Sequence, residues 1–185
     1  MSCYPKFMSF AFCPTRGRAF SAPLRFSRVI RQALSIVEAL DEEVQPIEEP
    51  NWPPQGSPIS EERADALNAH LAGEAPIEPA PTRAERTAYA AFQRELRKTR
   101  ATRSPRRGRV PEFKFESNDG WVISRVEART IARALEKLLT DEYSEELYYD
   151  VLDVDAAGAK AVRKQLLEFK RFNLRAAETG GYTVD

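Results

Sequence analysis

The apolar positions of this chain fall into two rhythms, and each predicts a different kind of element. Met8, Phe10 and Phe12 alternate with Ser9, Ala11 and Cys13, the period of two expected for a half-buried strand. Pro14-Thr15-Arg16-Gly17 then turns the chain toward a second short strand around residues 19–22. From there the rhythm changes. Phe26, Val29, Ile30, Ala33, Leu34, Val37 and Leu40 recur at helical spacing and define one apolar helix face. Ser27 is the expected cap, and the helix must fail before Pro46, whose ring carries no backbone donor. Five prolines between Pro46 and Pro58 predict an extended linker, with Trp52 pinning it to the core.

Ser60 is expected to cap a short helix through Leu71, with Ala64, Leu67 and Leu71 inward and Gly73 ending it. A second proline linker runs over residues 75–81. Thr82-Arg83-Ala84-Glu85 then reads as a capping box, in which hydroxyl and carboxylate satisfy each other's free backbone amides. It opens a helix carrying Ala84, Ala88, Ala91, Phe92 and Leu96. Beyond Arg97 the apolar periodicity stops, so the segment to Arg109 is predicted to be irregular.

In the last third, Phe113 and Phe115 share a face, Ser117-Asn118-Asp119-Gly120 is turn chemistry, and Trp121-Val122-Ile123 resumes a strand, together predicting a β-hairpin. Ser124-Arg125-Val126-Glu127 is a second capping box, followed by a helix with Ala128, Ile131, Ala132, Leu135, Leu138 and Leu139 inward. Asp155 caps a long helix whose apolar face is Val162, Leu166, Phe169, Phe172 and Ala176. Gly180-Gly181 supplies a left-handed stop, and Tyr182-Thr183-Val184 is expected to add a strand to the hairpin. Ile59-Ser60, Ala64, Leu67 and Leu71 echo Ile123-Ser124, Ala128, Ile131 and Leu135 at an offset of 64, which suggests a duplicated strand–turn–helix unit. The expected fold is α+β, with several amphipathic helices and short antiparallel strands. Its segments are 1–45 (strands and helix), 46–109 (proline-jointed helices ending in an arginine-rich stretch) and 110–185 (an α+β unit).

Asn118-Asp119-Gly120-Trp121 leading into Ile123-Ser124, with Phe169, Phe172, Ala176-Ala177 and Gly180-Gly181-Tyr182, resembles small uncharacterised bacterial proteins over about residues 110–185. The resemblance implies a bacterial, cytoplasmic protein. It carries no functional residue, because that group has no assigned activity.

Composition narrows the classes. The 185 residues hold 42% hydrophobic and 30% charged side chains, with no run approaching the roughly 18 apolar residues of a membrane span. Cys3 and Cys13 make no disulfide framework, which favours a reducing, cytoplasmic compartment. The rival for residues 1–20 is a mitochondrial transit peptide: arginine-rich, acid-free, with Arg18-Ala19-Phe20-Ser21 resembling a processing site, although Pro5, Pro14 and Pro23 interrupt any targeting helix.

The formal net charge of zero conceals four blocks: +6 over residues 1–37, −10 over 38–82, +8 over 83–109 and −4 over 110–185. Segregation on this scale calls for a partner, internal or external. The internal one is the acidic block lying beside the basic block.

Catalytic chemistry is thinly provided. His70 is the sole histidine, and neither GxxxxGK[ST] nor GxGxxG occurs among the eight glycines. Cys3 and Cys13 have no neighbouring histidine to complete a zinc set. Asp150, Asp153 and Asp155 before Gly158 suggest a calcium loop, but the twelfth position counted from Asp153 is Lys164. Glu145-Glu146 reads as a solvated acidic face. No cofactor, metal or catalytic residue is therefore assigned, and a small enzyme built around His70 stands as the lesser alternative.

The strongest non-core signal is the stretch from Arg97 to Arg109, which contains Arg97, Arg100, Arg103, Arg106, Arg107 and Arg109 and no acid. Guanidinium groups offer bidentate donors to carboxylates and phosphates alike. The favoured expectation is a non-catalytic interaction protein that engages a protein partner through these arginines or docks it on a tyrosine-bearing surface near Tyr143, Tyr148 and Tyr149, tyrosines that read equally as core because Leu147 and Val151 share their neighbourhood. The alternative is a nonspecific nucleic-acid binder, although the stretch lacks the aromatic groups of a base-stacking platform.

Overall fold

A computed structural model describes residues 9–23, 25–117 and 119–184, so Cys3, Met8 and Asn118 lie outside the described residues. The chain forms two compact units, residues 1–46 with 101–185 and residues 47–100. The N-terminal strands and the C-terminal third thus belong to one unit, and the middle of the chain forms the other.

The larger unit opens with β1 (Ser9–Pro14) and β2 (Phe20–Pro23), the antiparallel pair that the alternation predicts, with Phe12 opposite Phe20. Helix α1 (Arg25–Ile36) follows and buries Phe26, Ile30, Ala33 and Leu34. Ser27 lies inside its first turn and is not the cap. The helix also stops four residues before Leu40, because Glu38 takes a positive φ of 55° and sends Leu40 and Asp41 into β3 (Leu40–Asp41). This short strand pairs in parallel with β4 (Val110–Pro111), placing Leu40 beside Val110 and Asp41 beside Pro111.

Residues 113–123 do not form the expected hairpin. Glu112–Phe115 is a 3-10 turn, and β5 (Trp121–Ile123) pairs instead with β6 (Tyr182–Val184). β6 also pairs with β1, giving an antiparallel sheet of order β2-β1-β6-β5. The aromatic contact a hairpin would make survives, with the Phe113 and Trp121 rings 4.8 Å apart. Lys114, which strict alternation would expose, is wholly buried. Its Nζ donates to Val122 O at 2.8 Å and to Glu127 Oε1 at 2.7 Å.

Glu127 belongs to the capping box of α4 (Arg125–Leu138): its Oε2 accepts from Ser124 N at 2.8 Å while Ser124 Oγ accepts from Glu127 N at 3.3 Å. Burial lowers the Lys114 pKa, the Glu127 carboxylate opposes that shift, and the positive charge of Arg103 adds to it. One cap amide and one buried cation therefore share a single carboxylate.

After α5 (Asp141–Glu145 in the chain, residue numbers 141–145) and a π-helical turn at Glu146–Val151, Asp155 caps α6 (Ala156–Thr179) by accepting from Gly158 N at 2.7 Å. α6 buries Leu166, Phe169, Phe172 and Ala176 as the pattern predicts. Phe169 and Phe172 meet Phe12 of β1 at ring distances of 4.9 and 6.3 Å. The Tyr182 hydroxyl donates to Asn173 Oδ1 at 3.0 Å, with both groups buried. Gly180 ends α6 at φ 119°. A Cβ on Gly181 would lie 2.1 Å from Ile123 O, so only glycine lets the chain turn from α6 directly into the sheet.

The smaller unit contains α2 (Glu61–Leu71) and α3 (Arg83–Arg100). Ser60 caps α2, but Arg63 stands where α4 has Glu127, no strand precedes the helix, and Leu71 is exposed. The echo at offset 64 is therefore confined to a cap and two buried positions, without a duplicated strand. Trp52 pins the proline linker within this unit: its indole donates to Ala64 O at 3.1 Å and its ring meets Phe92 at 5.1 Å. The Thr82–Glu85 box opens α3, which runs three residues beyond Arg97. Glu85 also receives Arg63 Nε at 2.7 Å. That hydrogen bond first, and the Thr82 amide second, hold the Glu85 carboxyl down at about 2.

Two outcomes follow from these buried and half-buried carboxylates. Lys114→Met strands an unpaired carboxylate and should lose about 3–5 kcal/mol in urea denaturation, while the Lys114→Met/Glu127→Gln double variant, which keeps the cap acceptor, should regain much of it. A carboxyl held low stabilises the folded state above the ordinary glutamate range, and that contribution disappears as pH falls from near 4.5 through about 2. Followed by Trp52 fluorescence in a Trp121→Phe background, the gap in denaturation midpoint between the parent and its Glu85→Gln variant should close over that window.

Candidate functional site

The six arginines of the basic stretch do not share one fate. In the smaller unit, Arg97 is exposed on α3, whereas Arg100 Nε donates to Glu49 Oε1 at 2.7 Å. In the larger unit, Arg106 Nη2 binds Glu43, and its Nη1 lies 3.7 Å from Asp41 Oδ1. This contact holds the Glu43 carboxyl below the usual range, by the Arg106 hydrogen bond first and its charge second. Arg109 Nη1 donates to Leu40 O at 3.1 Å. Arg103 and Arg107 are exposed and, among the described residues, take part in no ion pair.

Backbone and side chain together shape the loop that carries them. Ser104 Oγ donates to Asp41 Oδ2 and accepts from Arg106 N at 3.0 Å. Arg109 N closes a turn on Arg106 O at 3.3 Å, Gly108 supplies a φ of 81°, and Val110 N then donates to Ala39 O at 2.9 Å as β4 begins. Asp41 is fully buried at the end of β3, and its Oδ1 accepts no hydrogen bond. A buried carboxylate with one weakly served oxygen is stabilised chiefly by what stays close to it, here the Ser104 hydroxyl and the Arg106 guanidinium. The loop over residues 101–109 is thus fastened at Ser104, Arg106 and Arg109 and open at Arg103 and Arg107.

The acidic and basic blocks do compensate each other, and they do so through particular pairs inside each unit: Glu49 with Arg100, and Glu43 and Asp41 with Arg106. The exchange even runs in reverse, since Arg63, the one base of the acidic block, binds Glu85, an acid of the basic block.

The other candidate side chains lie apart from the loop in sequence. His70 Nδ1 lies 3.2 Å from Ala75 O, against the chain that leaves α2. Tyr148 is buried and Tyr143 is half-buried with the Lys137 ammonium 4.8 Å above its ring, leaving Tyr149 as the exposed member of the three. Asp155 is a helix cap, and Glu145 and Glu146 are exposed. Among the described residues, no group of three His, Cys, Asp or Glu is placed to hold a metal ion, and no helix is long and apolar enough to cross a membrane. Charge and motif reading could not separate anchored from open arginines, because the partners Asp41 and Glu43 lie 63 residues from Ser104 and Arg106.

Comparison with known proteins finds no family model, no curated protein and no solved structure that matches the chain.

Ser104→Ala removes the donor that Asp41 relies on and should cost about 1–3 kcal/mol. Arg107→Ala, at an exposed position, should stay within about 0.5 kcal/mol of the parent. Parallel urea denaturation of the two variants checks the division into anchor and open positions.

Proposed function

We propose that this is a non-catalytic interaction protein whose 101–109 loop engages an acidic surface on a protein partner, with Arg103 and Arg107 as the contacting groups. The observation that carries this reading is the pairing pattern of the loop. Glu43 and Asp41 take Arg106, the Leu40 carbonyl takes Arg109, and Arg103 and Arg107 keep their charge exposed on a loop whose shape is already set. A preorganised loop loses less conformational entropy on binding than a free basic tail does. Arg97, exposed on α3, is a separate candidate contact, while Arg100, Arg106 and Arg109 act as supports.

The same pattern weakens the nucleic-acid alternative. Two open guanidiniums neutralise about two phosphates, which would give a log–log salt slope of only about −2 for duplex DNA. The aromatic rings needed for single-strand stacking are missing from the loop sequence.

The test is affinity capture with the intact chain and its Arg103→Ala/Arg107→Ala variant, each with and without nuclease, followed by binding measurements on the purified partner. The reading predicts a protein retained after nuclease and weakened about tenfold or more by the double substitution, with Arg103 and Arg107 acting as interface arginines. Retention only in untreated lysate would transfer the function to nucleic acid, and equal affinity of both chains would remove the loop from the interface.

A further inference from the structure

A second feature of the larger unit is independent of the arginine loop. α1, the chain over residues 151–154 and the first half of α6 enclose a cleft of about 350 Å³. Its walls are apolar: Phe26 and Val29 from α1, Leu152 and Val154 from the connecting chain, and Val162 from α6. Phe26 is fully buried, whereas Val29, Leu152, Val154 and Val162 are only partly covered. Such a volume is in the range of small-molecule sites.

The polar groups of the cleft are few and of one sign. Arg25 and Arg28, one turn apart on α1, both line it and are exposed, and among the described residues neither takes part in an ion pair. The only other polar side chain among the lining residues is Gln165, and no carboxylate is among them. An apolar floor with two guanidiniums and an amide matches a ligand that has a hydrocarbon body and a single anionic head. A neutral hydrocarbon would leave the guanidiniums unused, and an inorganic anion would leave the walls wet.

We propose that this cleft binds an amphipathic monocarboxylate of the medium-chain fatty-acid class, its carboxylate held by Arg25 and Arg28 and its chain lying against Val29, Val154 and Val162. Bidentate pairing between guanidinium and carboxylate gives the head its orientation. Each methylene that becomes buried adds about a fourfold gain in affinity, so affinity should climb with chain length until the cleft is filled.

The experiment is calorimetric titration of the full chain with hexanoate, octanoate, decanoate and decanol, run on the parent, on Arg25→Gln/Arg28→Gln and on Ala161→Trp. Ala161 lines the cleft from an exposed position, so tryptophan there blocks the space without entering the core. Circular dichroism melts of both variants should match the parent. The expected result is saturable one-to-one binding of decanoate that exceeds octanoate and hexanoate in turn. It should fall about tenfold or more in the double glutamine variant and be lost in Ala161→Trp, with decanol weaker than decanoate on the parent only. Decanoate and decanol binding equally, or decanoate unaffected by the glutamine substitutions, would overturn the assigned carboxylate site. Absence of saturable binding below the solubility limit would also overturn it. Dimerisation of the chain that Ala161→Trp abolishes and decanoate leaves untouched would assign the cleft to a second copy and overturn it as well.

Discussion

The larger unit turns on one buried ion pair. Lys114 enters the core from a 3-10 turn, and Glu127 meets it from the first turn of α4, while the same ammonium reaches Val122 O on β5. Three elements with little regular hydrogen bonding between them are thereby fixed at one point. The arrangement is costly to leave half-made, because a charge without its partner in that setting is poorly solvated. It is also economical in groups, since Glu127 already accepts the Ser124 amide that begins α4. With β5 held in this way, β6 has an edge to join, and Gly181 allows it to do so immediately after α6.

The same unit carries the arginine loop, and the logic there is similar. Asp41 is buried at the end of a two-residue strand, and the Ser104 hydroxyl and Arg106 guanidinium come to it from the loop. Anchoring consumes positive charge, so the loop's chemistry toward an outside molecule is set by what remains open. Six arginines in a row of thirteen residues describe a strongly cationic tail, whereas two open ones on a fastened loop describe a small and oriented contact.

Local devices were readable in the sequence, and most distant side-chain pairings were not. The Thr82–Glu85 and Ser124–Glu127 boxes, the Ser60 and Asp155 caps and the Gly180 stop are closed within a few residues, so their chemistry stands in the sequence itself. Phe113 and Phe115 were legible as buried but not as a 3-10 turn, because a period of two over so short a stretch does not separate the two geometries. The strand Tyr182–Val184, expected to join Trp121–Ile123, does pair with β5 although it comes after the whole of α4 and α6; what fails is the nearer strand at Phe113–Phe115. Lys114 was invisible as a core residue for a plainer reason: a lysine is buried only where partners await it, and Glu127 looked fully occupied as a cap. The charge blocks pointed to compensation but not to the particular carboxylates, since Glu49, Glu43 and Asp41 are chosen by tertiary proximity.

Lys114 is a core cation shared between β5 and the α4 cap. Heteronuclear NMR of the Lys114 side chain, following its Nζ resonance across the alkaline range in the intact chain, examines this directly. The expected result is slow exchange of the ammonium protons, a through-space contact to the Glu127 side chain and titration below the ordinary lysine range. Rapidly exchanging protons and an ordinary lysine titration would place the ammonium in water and contradict it.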